Sequence, residues 1–316
     1  MIKIKQLTQF REFILVAIIV LLGMGIAMRS DIFLTRDNLL VLLLGIAVES
    51  IVAVGMTVLM VSGGFDLSVG STMAMTGAVA AYCLAAGVPV PLAIVIALAV
   101  GVAIGVANGM IIAYVGINPF ITTLSMMSIV RGILLVITKG TNITGLPESF
   151  KVIGKGNLFG VQYPIIIAAV LLVVGDIALR KTRFLRQNYY LGGNEKAARL
   201  SGIPVRALKV FNYALIGFLA ALAGVVMTAR LGSASVTAGT GLELKVITAV
   251  IIGGASLQGG EGTVLGSFLG VLLMAVLISA LTLLNVDMYW NTLVIGATLL
   301  LAVLIDKFTR PRGTRQ

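Results

Sequence analysis

The chain has 316 residues, 59% of them hydrophobic and only 11% charged, with a mean hydropathy of +1.10. A soluble domain would carry about a quarter charged residues, so a single water-soluble core is excluded. The net charge of +11 does not indicate nucleic acid, because most of the 23 lysines and arginines flank apolar runs, as the positive-inside pattern requires.

In chain order, apolar runs at 13–28, 39–62, 66–86, 89–115, 118–138, 163–179, 207–231, 243–256, 263–284 and 289–305 predict about ten transmembrane helices in an all-α integral membrane protein. Lys3, Lys5 and Arg11 precede the first run. This run also resembles a cleavable signal peptide, and removing it would leave the remaining topology unchanged. Cys83 stands alone in the third run, and the chain has no histidine, which excludes an internal disulfide framework and a metal cluster. The run at 243–256 is short enough for a half-spanning or re-entrant helix, allowed only where protein or a cavity shields its ends.

If the N-terminus is cytoplasmic, six spans return the chain to the cytoplasm at residue 180. The loop 180–209 then holds Arg180, Lys181, Arg183, Arg186, Lys196, Arg199, Arg206 and Lys209 against one acid, Glu195. Four more elements bring Lys307, Arg310, Arg312 and Arg315 to the same side, and 139–162 becomes external. Both connections are too short to be domains, so 1–316 is one transmembrane unit. Val61-Ser62-Gly63-Gly64 echoes Ile252-Gly253-Gly254, as Gly-interrupted segments in related halves of a transporter can.

The basic loop carries the most informative stretch, Gly192-Gly193-Asn194-Glu195-Lys196-Ala197-Ala198-Arg199-Leu200-Ser201-Gly202-Ile203-Pro204. Asn194 suits an N-cap, Glu195 the positive helix start, and Gly202 with Pro204 a stop. The predicted helix of about two turns is too short to be stable in water alone, so something packs on it. Ala197 and Ala198 offer a small-residue face for docking. The competing reading is a basic connector lying on lipid headgroups.

This stretch resembles the cytoplasmic coupling segment of the ribose-type permease family, whose members import monosaccharides with a separate ATPase. Ser62-Gly63-Gly64-Phe65-Asp66-Leu67-Ser68-Val69-Gly70-Ser71 is similar to the same family. So are Asn118-Pro119-Phe120-Ile121-Thr122-Thr123-Leu124 with Arg131-Gly132, and Ala229-Arg230-Leu231-Gly232-Ser233-Ala234. Gly253-Gly254-Ala255-Ser256-Leu257-Gln258-Gly259-Gly260-Glu261-Gly262 completes the series, in the family's order. The chain departs from the pattern at Lys245, where the family usually has an acid, and at Phe65, where an aliphatic is expected.

The resemblance implies a homodimeric pore in the bacterial inner membrane, two cytoplasmic ATPase subunits and an extracytoplasmic sugar-binding protein. It makes Gly193, Asn194, Ala197, Ala198, Ser201 and Gly202 the ATPase-coupling residues. No phosphate-binding Gly-x-x-x-x-Gly-Lys-[Ser/Thr] stretch occurs, so ATP is expected on the partner and no cofactor or catalytic residue on this chain.

Charges in apolar segments are costly and normally face protein or water. Glu49 and Arg131, near mid-segment, are read as buried structural or gating groups. Glu243 and Asp66 join them as pathway or gating candidates, with helix capping as the plainer role for Asp66. Asn108 and Ser125 could reach a sugar or bond a neighbouring helix. Gly101, Gly105 and Gly109 form a close-packing stripe, and Trp290 suits an interfacial anchor. The leading substrate is a monosaccharide, ribose-like or a hexose. The alternatives are another small polar solute (a sugar-derived signal, polyol or nucleoside), an ion-coupled secondary transporter, or a membrane-embedded enzyme.

Overall fold

The computed structural model describes residues 2–287 and 289–309, with side chains at 12–287 and 289–307. The side chains of Lys3, Lys5 and Arg11, and all of Arg310, Arg312 and Arg315, lie outside the described residues. The helices are α1 (Ile2–Ala27), α2 (Arg36–Val61), α3 (Val69–Ala85), α4 (Val90–Met110), α5 (Pro119–Thr138), α6 (Glu148–Lys155) and α7 (Tyr163–Lys181). They continue as α8 (Arg183–Gly193), α9 (Glu195–Leu200), α10 (Val205–Leu231), α11 (Leu242–Ile252), α12 (Val264–Leu283) and α13 (Tyr289–Thr309). A π-helical turn, Ile111–Val115, extends α4, and β1 (Asn157–Leu158) pairs with β2 (Val161–Gln162) as a small antiparallel hairpin before α7.

Every predicted apolar run falls on one of these helices. Among the described residues, seven helices are long and apolar enough to cross a membrane: α2, α4 with its π turn, α5, α7, α10, α12 and α13. The apolar parts of α1 and α3 are shorter. The 11 residues of α11 rise only about 16 Å, half the hydrocarbon thickness, which agrees with the half-spanning expectation.

Two helices form the centre. α2 and α10 each bury 61% of their most apolar window, whereas α7 buries 17% and α13 only 6%. α10 packs on α4, α3 and α2, while α2 also packs on α7, α12 and α11. The α4–α10 contact is the most extensive, and the glycine stripe explains it. A Cβ at Gly101 would overlap Gly217 O, one at Gly105 would overlap Tyr213 O, and one at Gly109 would lie 2.7 Å from Val210 Cα. Without side chains at these positions the two backbones touch, which is the source of attraction when lipid removes the hydrophobic drive between helices.

The two long polar connections sit at opposite ends of α10, whose 27 residues span about 40 Å. At its C-terminal end, Ile143 bridges to Ala234, Asn142 Oδ1 accepts a bond from Val236 N–H, and α6 packs against α10. At its N-terminal end lie α8 and α9. The connections 139–162 and 180–209 thus lie at opposite ends of α10.

Candidate functional site

The α8–α9 end carries the predicted coupling residues. Asn194 has an extended backbone (φ −161°, ψ 102°), and its Oδ1 accepts from Ala197 N–H at 3.0 Å, so it caps α9 as expected. Gly202 adopts φ 81° and stops the helix, a conformation nearly free for glycine and costly for other residues. Glu195 does more than favour the helix start. Its carboxylate accepts from Lys209 Nζ at 2.8 Å and from Arg199 at 3.3 Å, tying α9 to the first turns of α10. Unforeseen in the sequence is α8, a helix of 11 residues whose Asn188 and Leu191 turn inward. Asn188 Oδ1 accepts from Asn212 Nδ2 at 2.8 Å, with both residues fully buried, which fastens α8 to α10.

Between α8 and α9 runs a groove of about 730 Å³. Arg183, Arg186 and Tyr190 line one wall, Gly193, Asn194, Ala197 and Ser201 the other. Ala198 requires a correction. Expected on the docking face, it is 3% exposed and packs with Leu191, Val205 and Leu208, so it forms the groove's floor. The helical spacing puts one alanine out and the next one in. Ala197 and Leu200 are exposed, while Gly202 lies beyond the groove lining.

Directly behind the groove, three backbones converge. A Cβ on Gly192 would overlap Val61 O and Gly260 N. Gly260 N–H donates to Val61 O at 2.8 Å, and Tyr189 Oη–H donates to Gly262 O at 2.8 Å. Burial raises the Tyr189 pKa above the usual tyrosine value, so the phenol remains a donor. The end of α2 and the loop after α11 thus meet at the end of α8 through Val61, Gly259 and Gly260, whereas Gly253 of the echoed stretch packs on Gly266 of α12.

The pathway and gating candidates divide into separate clusters. Glu49 on α2 pairs with Lys245 on α11 at 2.5 Å, with side chains 15% and 18% exposed. The residue that departs from the family pattern is therefore the partner of Glu49. Arg131 donates to Val236 O at 2.6 Å and Ala238 O at 3.1 Å, while Glu243 attracts it through space. It thereby anchors the segment of turns between α10 and α11.

Asp66 and Asn108 are brought together in a fully buried network. Asp66 Oδ1 accepts from Ser68 N–H at 2.7 Å and Ser68 Oγ–H at 2.6 Å, and Asn108 Nδ2 donates to Asp66 Oδ2 at 3.3 Å and Ser68 Oγ at 3.0 Å. Asp66 thus closes a turn on Ser68, the residue before α3, rather than capping the helix's own N–H groups as expected, and Asn108 on α4 bonds to that turn. Ser125 stands apart, exposed on α5.

The model for the family described as branched-chain amino acid transport system / permease component matches residues 38–303. The chain is 44% identical over 284 residues to the ribose import permease protein RbsC of Bacillus subtilis (strain 168), covering 89% of this chain and 88% of that one. It is 43% identical to RbsC of Escherichia coli (strain K12) over 296 residues, 92% of each chain. The L-arabinose transport system permease protein AraH of the same organism is 39% identical over 276 residues, 87% and 84% of the two chains. No solved structure matches the chain at a significant level.

Proposed function

The chain belongs to the family of branched-chain amino acid transport system / permease components, and from that membership we infer that it is the membrane-spanning permease subunit of a binding-protein-dependent, ATP-driven sugar importer. The family description names amino acids. The similar proteins, 39–44% identical across most of both chains, are named for ribose and arabinose, which favours a pentose. The observation that carries the assembly is α9, a capped helix of six residues set beside a groove on one end of an apolar bundle. A helix this short persists because it is docked, and a handle of this kind suits a motor subunit.

Two ATPase subunits engage that groove through Gly193, Asn194, Ala197 and Ser201, with Ala198 and Gly202 shaping it from behind. They bind and hydrolyse ATP, and this chain holds no cofactor. Two copies of the chain enclose the pathway, with Ser125 on the uncovered face of α5 directed toward it. Glu49 with Lys245, and Arg131 with Glu243, hold α11 in position, while Asp66 and Asn108 brace the start of α3. Ten membrane elements, counting α1, α3 and α11, put both termini in the cytoplasm of a bacterial inner membrane, and the binding protein delivers sugar at the α6 end.

Reconstitution tests the reading. In proteoliposomes, uptake of labelled ribose or L-arabinose is expected only with ATP, the ATPase and the sugar-loaded binding protein together. Uptake by this chain alone, driven by an ion gradient, would overturn it. Ala197→Trp fills the groove from an exposed position, so the variant should insert yet lose ATPase co-purification. Full co-purification and transport by that variant would refute the groove assignment.

A further inference from the structure

We propose that Gly192 is a positioning residue for transport, forming a backbone joint with Val61 and Gly259–Gly260 through which movement of α8 and α9 passes into α2 and α11. The inference rests on the docking of an ATPase at the α8–α9 groove.

The contact is main chain against main chain. A Cβ at Gly192 would overlap Val61 O and Gly260 N, and one at Gly259 would come within 2.7 Å of Gly192 Cα. Side chains between two moving elements can absorb a displacement by changing rotamer, but touching backbones have no such slack. Gly63, Gly259 and Gly260 hold φ values of 86°, 87° and 80°, a region that glycine enters without penalty and that lets the loops approach.

Three hydrogen bonds close the joint on different sides: Gly260 N–H to Val61 O, Tyr189 Oη–H to Gly262 O, and Asn212 Nδ2 to Asn188 Oδ1. The adjacent glycine provides a contrast. A Cβ at Gly193 would meet nothing within 4 Å, so only the first of the pair is required to be glycine by packing.

The joint leads to the pathway candidates. Val61 ends α2, and Glu49 lies twelve residues back along that helix, about 18 Å away. There it pairs with Lys245 of α11, and α11 ends at Ile252, just before the loop that bears Gly259 and Gly260. α2 and α11 are thus connected twice, once at the joint and once at the ion pair. A push on α8 therefore moves both helices as one frame. Coupling between distant sites can be carried by such a chain of packed elements when it has two discrete arrangements.

Gly192→Ala and Tyr189→Phe test the joint in the reconstituted complex. With Gly192→Ala, ATPase co-purification should stay within twofold of the parent, while stimulation of ATP hydrolysis by sugar-loaded binding protein and sugar uptake both fall at least tenfold. Tyr189→Phe, which removes one hydroxyl, should lower stimulation at least threefold. Stimulation and uptake within twofold of the parent in both variants overturn the joint. So does a parallel fall of ATPase binding and uptake, which marks a docking or purely structural role. If Gly192→Ala does not insert, Tyr189→Phe decides, and unchanged stimulation refutes the proposal. Failure of the parent chain itself to bind the ATPase instead overturns the docking reading, and the joint with it.

Discussion

Replacing Lys245 by methionine would leave Glu49 without its cation in the interior of an apolar bundle. Both side chains are mostly covered, 15% exposed for Glu49 and 18% for Lys245, and they face one another across α2 and α11. Removing one member of a buried pair costs about 3–5 kcal/mol, because the remaining charge loses its partner and regains little water. Exchanging both members for apolar residues of similar volume is often nearly neutral. Glu49 can take up a proton when alone, which holds its loss toward the lower end of that range. Lys245→Met and Glu49→Met should therefore each lose about 3 kcal/mol, and the double variant about 1 kcal/mol or less. Trp290 is the only tryptophan and sits on α13, which packs against α11, so its fluorescence reports unfolding in an SDS titration. The midpoints of the single variants should fall well below the parent, with the double variant close to it. Losses that simply add in the double variant, or single variants that match the parent, would refute a coupled buried pair.

Asn194→Ala removes the cap on α9 at about 1 kcal/mol, which lowers ATPase affinity about fivefold in a pull-down. Asn194→Asp, which keeps an accepting oxygen, should retain it. Gly105→Leu drives a side chain into the Tyr213 backbone, where overpacking costs about 1–3 kcal/mol or more. Monodisperse protein on gel filtration should fall, whereas Gly45→Ala, whose Cβ meets nothing within 4 Å, should behave as the parent. Asn108→Ala strips donors from Asp66 and Ser68 and should cost about 1–3 kcal/mol in the same SDS titration. Arg131→Lys loses the two-pronged contact with the Val236 and Ala238 carbonyls. Sugar uptake should drop at least fivefold while ATPase co-purification is unchanged, and full uptake would show that the anchor is dispensable.

Much of the bundle was legible because membrane insertion is read from local composition. Each apolar run became a helix, the short run at 243–256 became the short α11, and the glycine stripe on α4 met α10 as its spacing required. The Asn194 cap was legible for the same reason, since a capping bond spans three residues. The amphipathic α6 and α8 were not predicted as helices, although Phe150 on α6 and Asn188 and Leu191 on α8 supply inward-facing positions. Their polarity hid them from a search for spans.

Other features depended on residues far apart in the chain. The partner of Glu49 lies 196 positions away, and nothing local distinguishes Lys245 from the chain's other lysines. Ala197 and Ala198 are neighbours of equal size, yet one faces the groove and the other packs on Leu208, because the rotation of α9 is set by the Glu195–Lys209 contact and its own small core. Gly192 and Gly193 are likewise indistinguishable as letters, and only the first is pressed between Val61 and Gly260. Apolarity and capping act within a few residues and can be read along the chain. Register, facing and pairing depend on which backbones arrive at the same place, so the groove, the ion pair and the joint became visible when the helices were packed.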